Sequence, residues 1–298
     1  MSSANTTVII RDIADAFMFY AAVFNLILGI CGNISNILIF TTLRVFKGNQ
    51  SAFYLTVESI SDIILLSVLN ISRIANFTSG FDYITVSLPW CKLRNTIAQV
   101  TGTISLYSVC SLSFDQYLST NLDHRYRKKS TLKLAHRLSF CYIFFSILHS
   151  ILFIIFTEYS FELGCTVYNP TVKKYLSMFY YPLISSGFPL VCSITTSLLA
   201  YHNVRRIVRR QTNIVRRRLD RQMTALALTR VLIFILCGMP FIGISLYELN
   251  LDATQIDDMT AAIVYLLSAV FYTVLYTNFV VNEKMTQILF ELLVFFVF

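Results

Sequence analysis

The sequence predicts an all-α membrane protein: a bundle of seven transmembrane helices with a short amphipathic helix 8 behind it. Three observations predict it. Apolar stretches of about twenty residues, enough to cross a hydrocarbon core of about 30 Å, recur seven times in the 298-residue chain. Charged residues make up 13% of the chain and hydrophobic ones 56%, where a soluble domain carries about 25% charge. The charges are also sorted, with arginine and lysine gathered in alternate loops.

The spans are read in order, within a single domain covering residues 1–298. Met1 to Arg11 is a polar lead-in, and span one runs from Asp15 to Leu43. Asp12 and Asp15 precede its apolar run and no small-residue cleavage site follows, so the run is expected to stay as an anchor. Asn25, Asn33, Ser35 and Asn36 interrupt it and should face protein, because a lipid-facing amide is costly. Span two, Ser51 to Ile74, carries Glu58 and Asp62 one turn apart on one face. Two carboxyls at that depth need water, protons, an ion or a basic partner. Span three is Leu93 to Leu118, within a longer stretch from Cys91 to Tyr117. Span four is Leu138 to Phe156. Span five, Tyr175 to Tyr201, holds Pro182 and Pro189, and span six, Thr224 to Tyr247, holds Pro240; neighbouring helices make such prolines tolerable. Span seven is Thr260 to Val281. Glu283 to Val297 alternates apolar and polar residues and reads as helix 8 lying along the membrane interface.

Loop charge sets the expected topology. Arg44 and Lys47 follow span one; Arg125, Arg127, Lys128, Lys129, Lys133 and Arg137 follow span three; eight arginines from Arg205 to Arg221 follow span five. The loop after span six holds Glu248, Asp252, Asp257 and Asp258 and no base. The positive-inside rule then puts the N-terminus outside. The same orientation exposes the Asn5 and Asn76 glycosylation sequons and puts Cys91 and Cys165 where a bridge can persist. The net charge of +8 is therefore loop bias that meets membrane lipids, not a nucleic-acid surface. No CxxC, P-loop, HExxH or GxSxG pattern occurs, so neither a zinc site nor an enzyme has an anchor. No internal repeat of the kind common in transporters is visible.

One set of residues narrows the class. Gly32-Asn33 lies in span one, Asp62 in span two, and Cys91 at the head of span three with Asp115-Gln116-Tyr117 at its foot. Pro189 lies in span five, Cys237-Gly238-Met239-Pro240 in span six, and Asn278-Phe279-Val280-Val281-Asn282 in span seven. On these residues the chain, from Ala21 to Phe290, resembles a divergent rhodopsin-like (class A) G-protein-coupled receptor. Asn36-Ile37-Leu38 and Ser51-Ala52-Phe53-Tyr54 make it similar to the invertebrate neuropeptide-type receptors. The resemblance implies a plasma-membrane receptor for an extracellular ligand with a heterotrimeric G protein as partner, and no catalysis. It implies a Cys91–Cys165 disulfide. It implies a sodium ion at Asp62, with Asn33, Ser105 and Asn278 in the polar network. Activation and coupling fall to Asp115, Gln116, Tyr117, Asp220, Arg230 and Pro240.

Four family residues are replaced. Gln116 stands where the family has arginine and cannot form its charged pairs with Asp115 or Asp220. Gly238 stands for tryptophan. Phe279 and Asn282 stand for the proline and tyrosine of helix seven. Arg230, inside span six, should seek an acid, and Asp115, Glu58 and Asp62 are the candidates. By position the ligand pocket falls over Ala98, Gln99, Gly102, Met178, Phe179, Phe241, Tyr247, Tyr265 and Tyr272. Ala98 in place of an aspartate disfavours monoamines, and span seven has no lysine for a retinal Schiff base. The acidic outer loop favours a basic peptide by charge complementarity. Two other classes stay in view: a seven-helix binder or scaffold without G-protein coupling, raised by Gln116, Gly238 and Asn282, and a transporter, raised by the acids of span two.

Overall fold

Apolar runs bounded by residues that satisfy free backbone N–H groups become long helices in the computed structural model, which describes residues 2–44, 46–80, 87–160, 164–207, 214–250 and 257–280. The long helices are α1 (Ser2–Thr42), α2 (Gln50–Ser79), α3 (Leu88–Thr120), α4 (Leu132–Phe156), α5, α6 (Ile214–Asn250) and α7 (Asp258–Val280), with one short helical turn, His124–Arg127, between α3 and α4. α5 is continuous through Pro170–Tyr175, a π-helical stretch Leu176–Gly187, and Phe188–Ile207. Among the described residues, seven spans are long and apolar enough to cross a membrane. Side chains cap the starts. Asn49 accepts from the Ser51 N–H and Ser87 from that of Trp90, with Pro89 in the first turn; Thr131 accepts from Leu134. Such a cap is typically worth about 1 kcal/mol. Asp257 caps α7 by accepting from the Thr260 hydroxyl at 2.6 Å and its N–H at 3.2 Å. Those bonds, the hydroxyl's first, hold its carboxyl below the usual range. The cap is therefore complete above the ordinary aspartate range and fades as pH falls through the lowered value.

Several expected boundaries move outward. The polar lead-in is already helical, and 41 residues at about 1.5 Å each carry α1 well beyond a bilayer core. α2 continues past Ile74 to Ser79, so the Asn76 sequon lies in its last turn rather than in a loop. α6 begins at Ile214 rather than Thr224, because arginine, leucine and glutamine are good helix formers even outside the apolar run. The segment after α4, expected as plain loop, pairs as an antiparallel hairpin of β1 (Thr157–Ser160) and β2 (Gly164–Val167), Tyr159 facing Cys165. Helix 8, Glu283–Val297, lies outside the described residues, as does Asn282.

The π-helical stretch has a local cause. Pro182 lacks an N–H, and its ring clashes with the carbonyl four residues earlier, so the chain widens there; the Phe188 N–H reaches Leu183, five residues back. Gly187 then passes so close to the Pro182 carbonyl oxygen that an added Cβ would run into it. Gly187→Ala is expected to destabilise the bundle by about 1–3 kcal/mol, read as a lower thermal midpoint of the detergent-solubilised protein. An unchanged midpoint would show that the widened turn relaxes freely.

α3 is the hub, packed against α2, α4, α5 and α6, while α1 rests on α2 and α7. α2 and α3 bury 56% and 50% of their most apolar windows, against 17–39% for the other five. Phe140, Phe144, Ile147, Ile151, Val191 and Leu236 are exposed and form part of the lipid-facing surface. The interior is polar in small residues. Ser61, Thr101 and Ser113 return their hydroxyls to the carbonyl four residues back, which satisfies them without a partner helix; Ser108 does the same and also meets the Tyr142 hydroxyl of α4 at 2.9 Å. Asn25, Asn33 and Asn36 turn inward as expected; Ser35 instead stays exposed and bonds Cys31 O.

Candidate functional site

In the half of the bundle nearer the arginine-rich loops, three charged side chains converge. Glu58 and Asp62, one turn apart on α2, share its buried face, and both are under 4% exposed. Arg230 enters from α6, three per cent exposed. Its guanidinium lies 3.3 Å from the Glu58 carboxylate and donates to the Asn278 carbonyl of α7 at 3.2 Å. Of the three acids open to Arg230, the structure places Glu58 in contact, with Asp62 within electrostatic reach of both groups. Ser105 of α3 is close enough to bear on Asp62, but neither Asp62 oxygen makes an ordinary hydrogen bond among the described residues. Asn33 is turned elsewhere and donates to Gly29 O and Phe279 O, both at 2.9 Å. Asn278 contributes its backbone. The four residues expected around an ion are therefore near one another but not aimed at one point.

The fit to sodium is poor. A hard cation takes a shell of oxygen ligands, and here a fixed guanidinium stands among the donors. The adjoining cleft, lined by Glu58, Ser105, Arg230, Phe234 and Asn278 among others, offers only ≈ 10 Å³ to the centre of a water molecule. That is the lower limit for holding one water. Phe234 also explains the glycine of span six: its ring leans on Gly238, where a Cβ would meet it at 3.1 Å. Pro240 lies inside α6, two residues further on.

At the basic end, Gln116 has taken up a neutral version of the absent arginine's place. It donates to the Ser51 hydroxyl of α2 at 2.6 Å and accepts from Thr224 of α6 at 3.3 Å. All three are buried, so α2, α3 and α6 are joined without charge. Asp115 accepts from Ser130 at 2.7 Å, which fastens the loop before α4. Tyr117 is half-buried beside them. Asp220 lies on α6, but its side chain is outside the described residues.

At the hairpin end, Cys91 and Cys165 are bonded, Cα to Cα 5.9 Å, tying β2 to the first turn of α3. Beneath, Gln99 donates to the Tyr181 hydroxyl at 3.1 Å and accepts from Tyr180. Tyr272 packs edge-on against Phe241 at 5.0 Å, and Gly102 faces open space. The rest of the expected pocket disperses. Met178, Phe179 and Tyr247 are exposed; Ala98 packs into a cluster with Leu65 and Leu66; Tyr265 donates to Asp15 of α1 at 2.5 Å. Tyr180, Tyr181 and Glu248, which position alone did not single out, also lie at this end, and Glu248 accepts from Ser268 of α7. Arg73 of α2, bonded to Met18, bears electrostatically on Tyr272 with Glu248. Arg73 and Glu248 were visible as charges at span ends; the two tyrosines carried no such signal. Asn5 is exposed on α1, while Asn76 is half-buried next to Phe77, which stacks on Phe19.

Fold and site thus define a multi-pass, seven-helix membrane protein whose third helix is bridged to a hairpin between the fourth and fifth. The chain matches the family described as 7 transmembrane receptor (rhodopsin family) over residues 32–282, and it belongs to that family. It is accordingly of a receptor class and not of an enzyme class. Comparison with curated proteins gives no match.

Proposed function

We propose that the protein is a plasma-membrane receptor, N-terminus outside, that binds an extracellular peptide and promotes nucleotide exchange on a heterotrimeric G protein. Membership of the rhodopsin family across residues 32–282 carries this reading. The peptide is supported by charge, and the likeness to invertebrate neuropeptide-type receptors by Asn36-Ile37-Leu38 and Ser51-Ala52-Phe53-Tyr54. Asp257 and Asp258 are exposed at the start of α7, and Glu248 lies at the hairpin end near Tyr272. Ligand binding would shift a two-state equilibrium toward separation of α5 and α6 at the basic end. A second reading has its own observation. Gln116 lacks the charge of the family's arginine and is held between Ser51 and Thr224, which supports a ligand-binding or scaffold protein without G-protein coupling.

Nucleotide exchange on a panel of G proteins, with a peptide library and wild type beside Gln116→Arg, separates the two. Ligand-stimulated exchange by wild type is the expected result. Exchange by Gln116→Arg alone would favour the uncoupled binder, and substrate uptake without exchange by either would favour a transporter.

A further inference from the structure

We propose that Arg230 is the resident cation of the Glu58–Asp62 site, taking the place of a metal ion, and that it latches α6 to α2 and α7 inside the bundle. The residues themselves carry the inference. Two carboxyls stand one turn apart on the most interior helix, both under 4% exposed, and nothing but a cation or a proton neutralises such a pair in hydrocarbon. The cation present is a side chain. Its guanidinium is 3.3 Å from Glu58, bonds the Asn278 carbonyl, and lies within electrostatic reach of Asp62. One positive charge against two carboxyls leaves the cluster neutral when the carboxyls share one proton. A second, mobile cation would have to enter beside the guanidinium, against its field and into a cleft with ≈ 10 Å³ for the centre of a water.

A tethered cation differs from a diffusible one in its consequence. A metal ion leaves the site by mass action, with its occupancy set by salt. A guanidinium leaves only when α6 moves relative to α2. Sodium in the medium should therefore have no hold on this bundle, and the latch should be broken by helix displacement alone. The second clamp, Thr224–Gln116–Ser51, joins the same two helices nearer the basic end. α6 is thus held at two levels, neither depending on an ion from solution. The inference does not rest on G-protein coupling, and its test does not use it.

The test is thermal unfolding of the detergent-solubilised full chain in sodium chloride and in choline chloride at equal concentration. Wild type is expected to unfold at the same midpoint in both. Arg230→Met, which leaves the two carboxyls and opens room, is expected to unfold at a lower midpoint in choline and to be raised selectively by sodium. If Arg230→Met fails to fold, Arg230→Gln is expected to show the sodium dependence and Arg230→Lys to lack it. A wild-type midpoint raised by sodium over choline overturns the proposal. So does an uncharged variant at position 230 that is indifferent to sodium, because protons would then satisfy both carboxyls and the site would need no cation.

Discussion

Arg230→Met is expected to be among the most destabilising substitutions in the bundle, and Arg230→Met combined with Glu58→Leu to recover most of the loss. The asymmetry comes from solvation. Removing one member of a buried pair strands the other, at a typical cost of about 3–5 kcal/mol; replacing both by apolar residues of similar size is often neutral or better. Arg230 is the more damaging end to remove. Without it Glu58 and Asp62, one turn apart, face each other with no base between them. Without Glu58, Arg230 still has Asp62 in reach, so Glu58→Leu alone should cost less. The order expected for thermal midpoints in choline is wild type near the double variant, then Glu58→Leu, then Arg230→Met. A double variant as unstable as Arg230→Met would mean that Asp62, not Glu58, is the acid whose charge Arg230 neutralises.

That distinction marks what the sequence could and could not say about the site. A charge within an apolar run must find a partner, so Glu58, Asp62 and Arg230 declare themselves as one problem. Which acid wins is a matter of how far α6 is shifted along α2, and helical periodicity is silent on the offset between two helices. Asp115, the third candidate, is instead occupied with Ser130, a contact made across a loop and unreadable from spacing. Gln116 was legible as a missing charge but not as a joint, because its partners Ser51 and Thr224 come from two other helices.

The expected pocket residues raise a different point. Met178 and Phe179 were placed by position alone, which takes α5 no further than a regular helix of 3.6 residues per turn. The π-helical stretch around Pro182 takes more residues per turn, so the inward face slips. Tyr180 and Tyr181 end up facing Gln99 instead. Pro182 was in plain view, but a proline in a span is as compatible with a kink as with a widened turn. The starts of the spans erred the same way throughout, each helix beginning earlier than its apolar run. Hydropathy marks where lipid stops, whereas helices such as α1 and α6 run on as long as their residues favour the conformation. The seven-helix count was legible because it depends on the apolar runs alone.

The bridge from α3 to the hairpin sets the other large expectation. Cys91→Ser should lower stability by up to about 4 kcal/mol, the chain-entropy value for a closed loop of this size; the two cysteines are 74 residues apart. Spans already confined by a bilayer or micelle have less freedom to lose, so the measured figure should fall below it. The informative comparison is additive against non-additive. Either serine variant removes the same covalent link, so Cys91→Ser, Cys165→Ser and the double variant should share one midpoint, and wild type treated with reductant should join them. Cys91 is fully buried, and Cys165 also accepts from Asn95 at 3.3 Å. If their packing rather than their bond held the hairpin, the two single losses would differ and sum in the double variant. The same variants should also bind peptide more weakly where the receptor reading holds, because β1 and β2 would no longer be fixed over Gln99 and Tyr181.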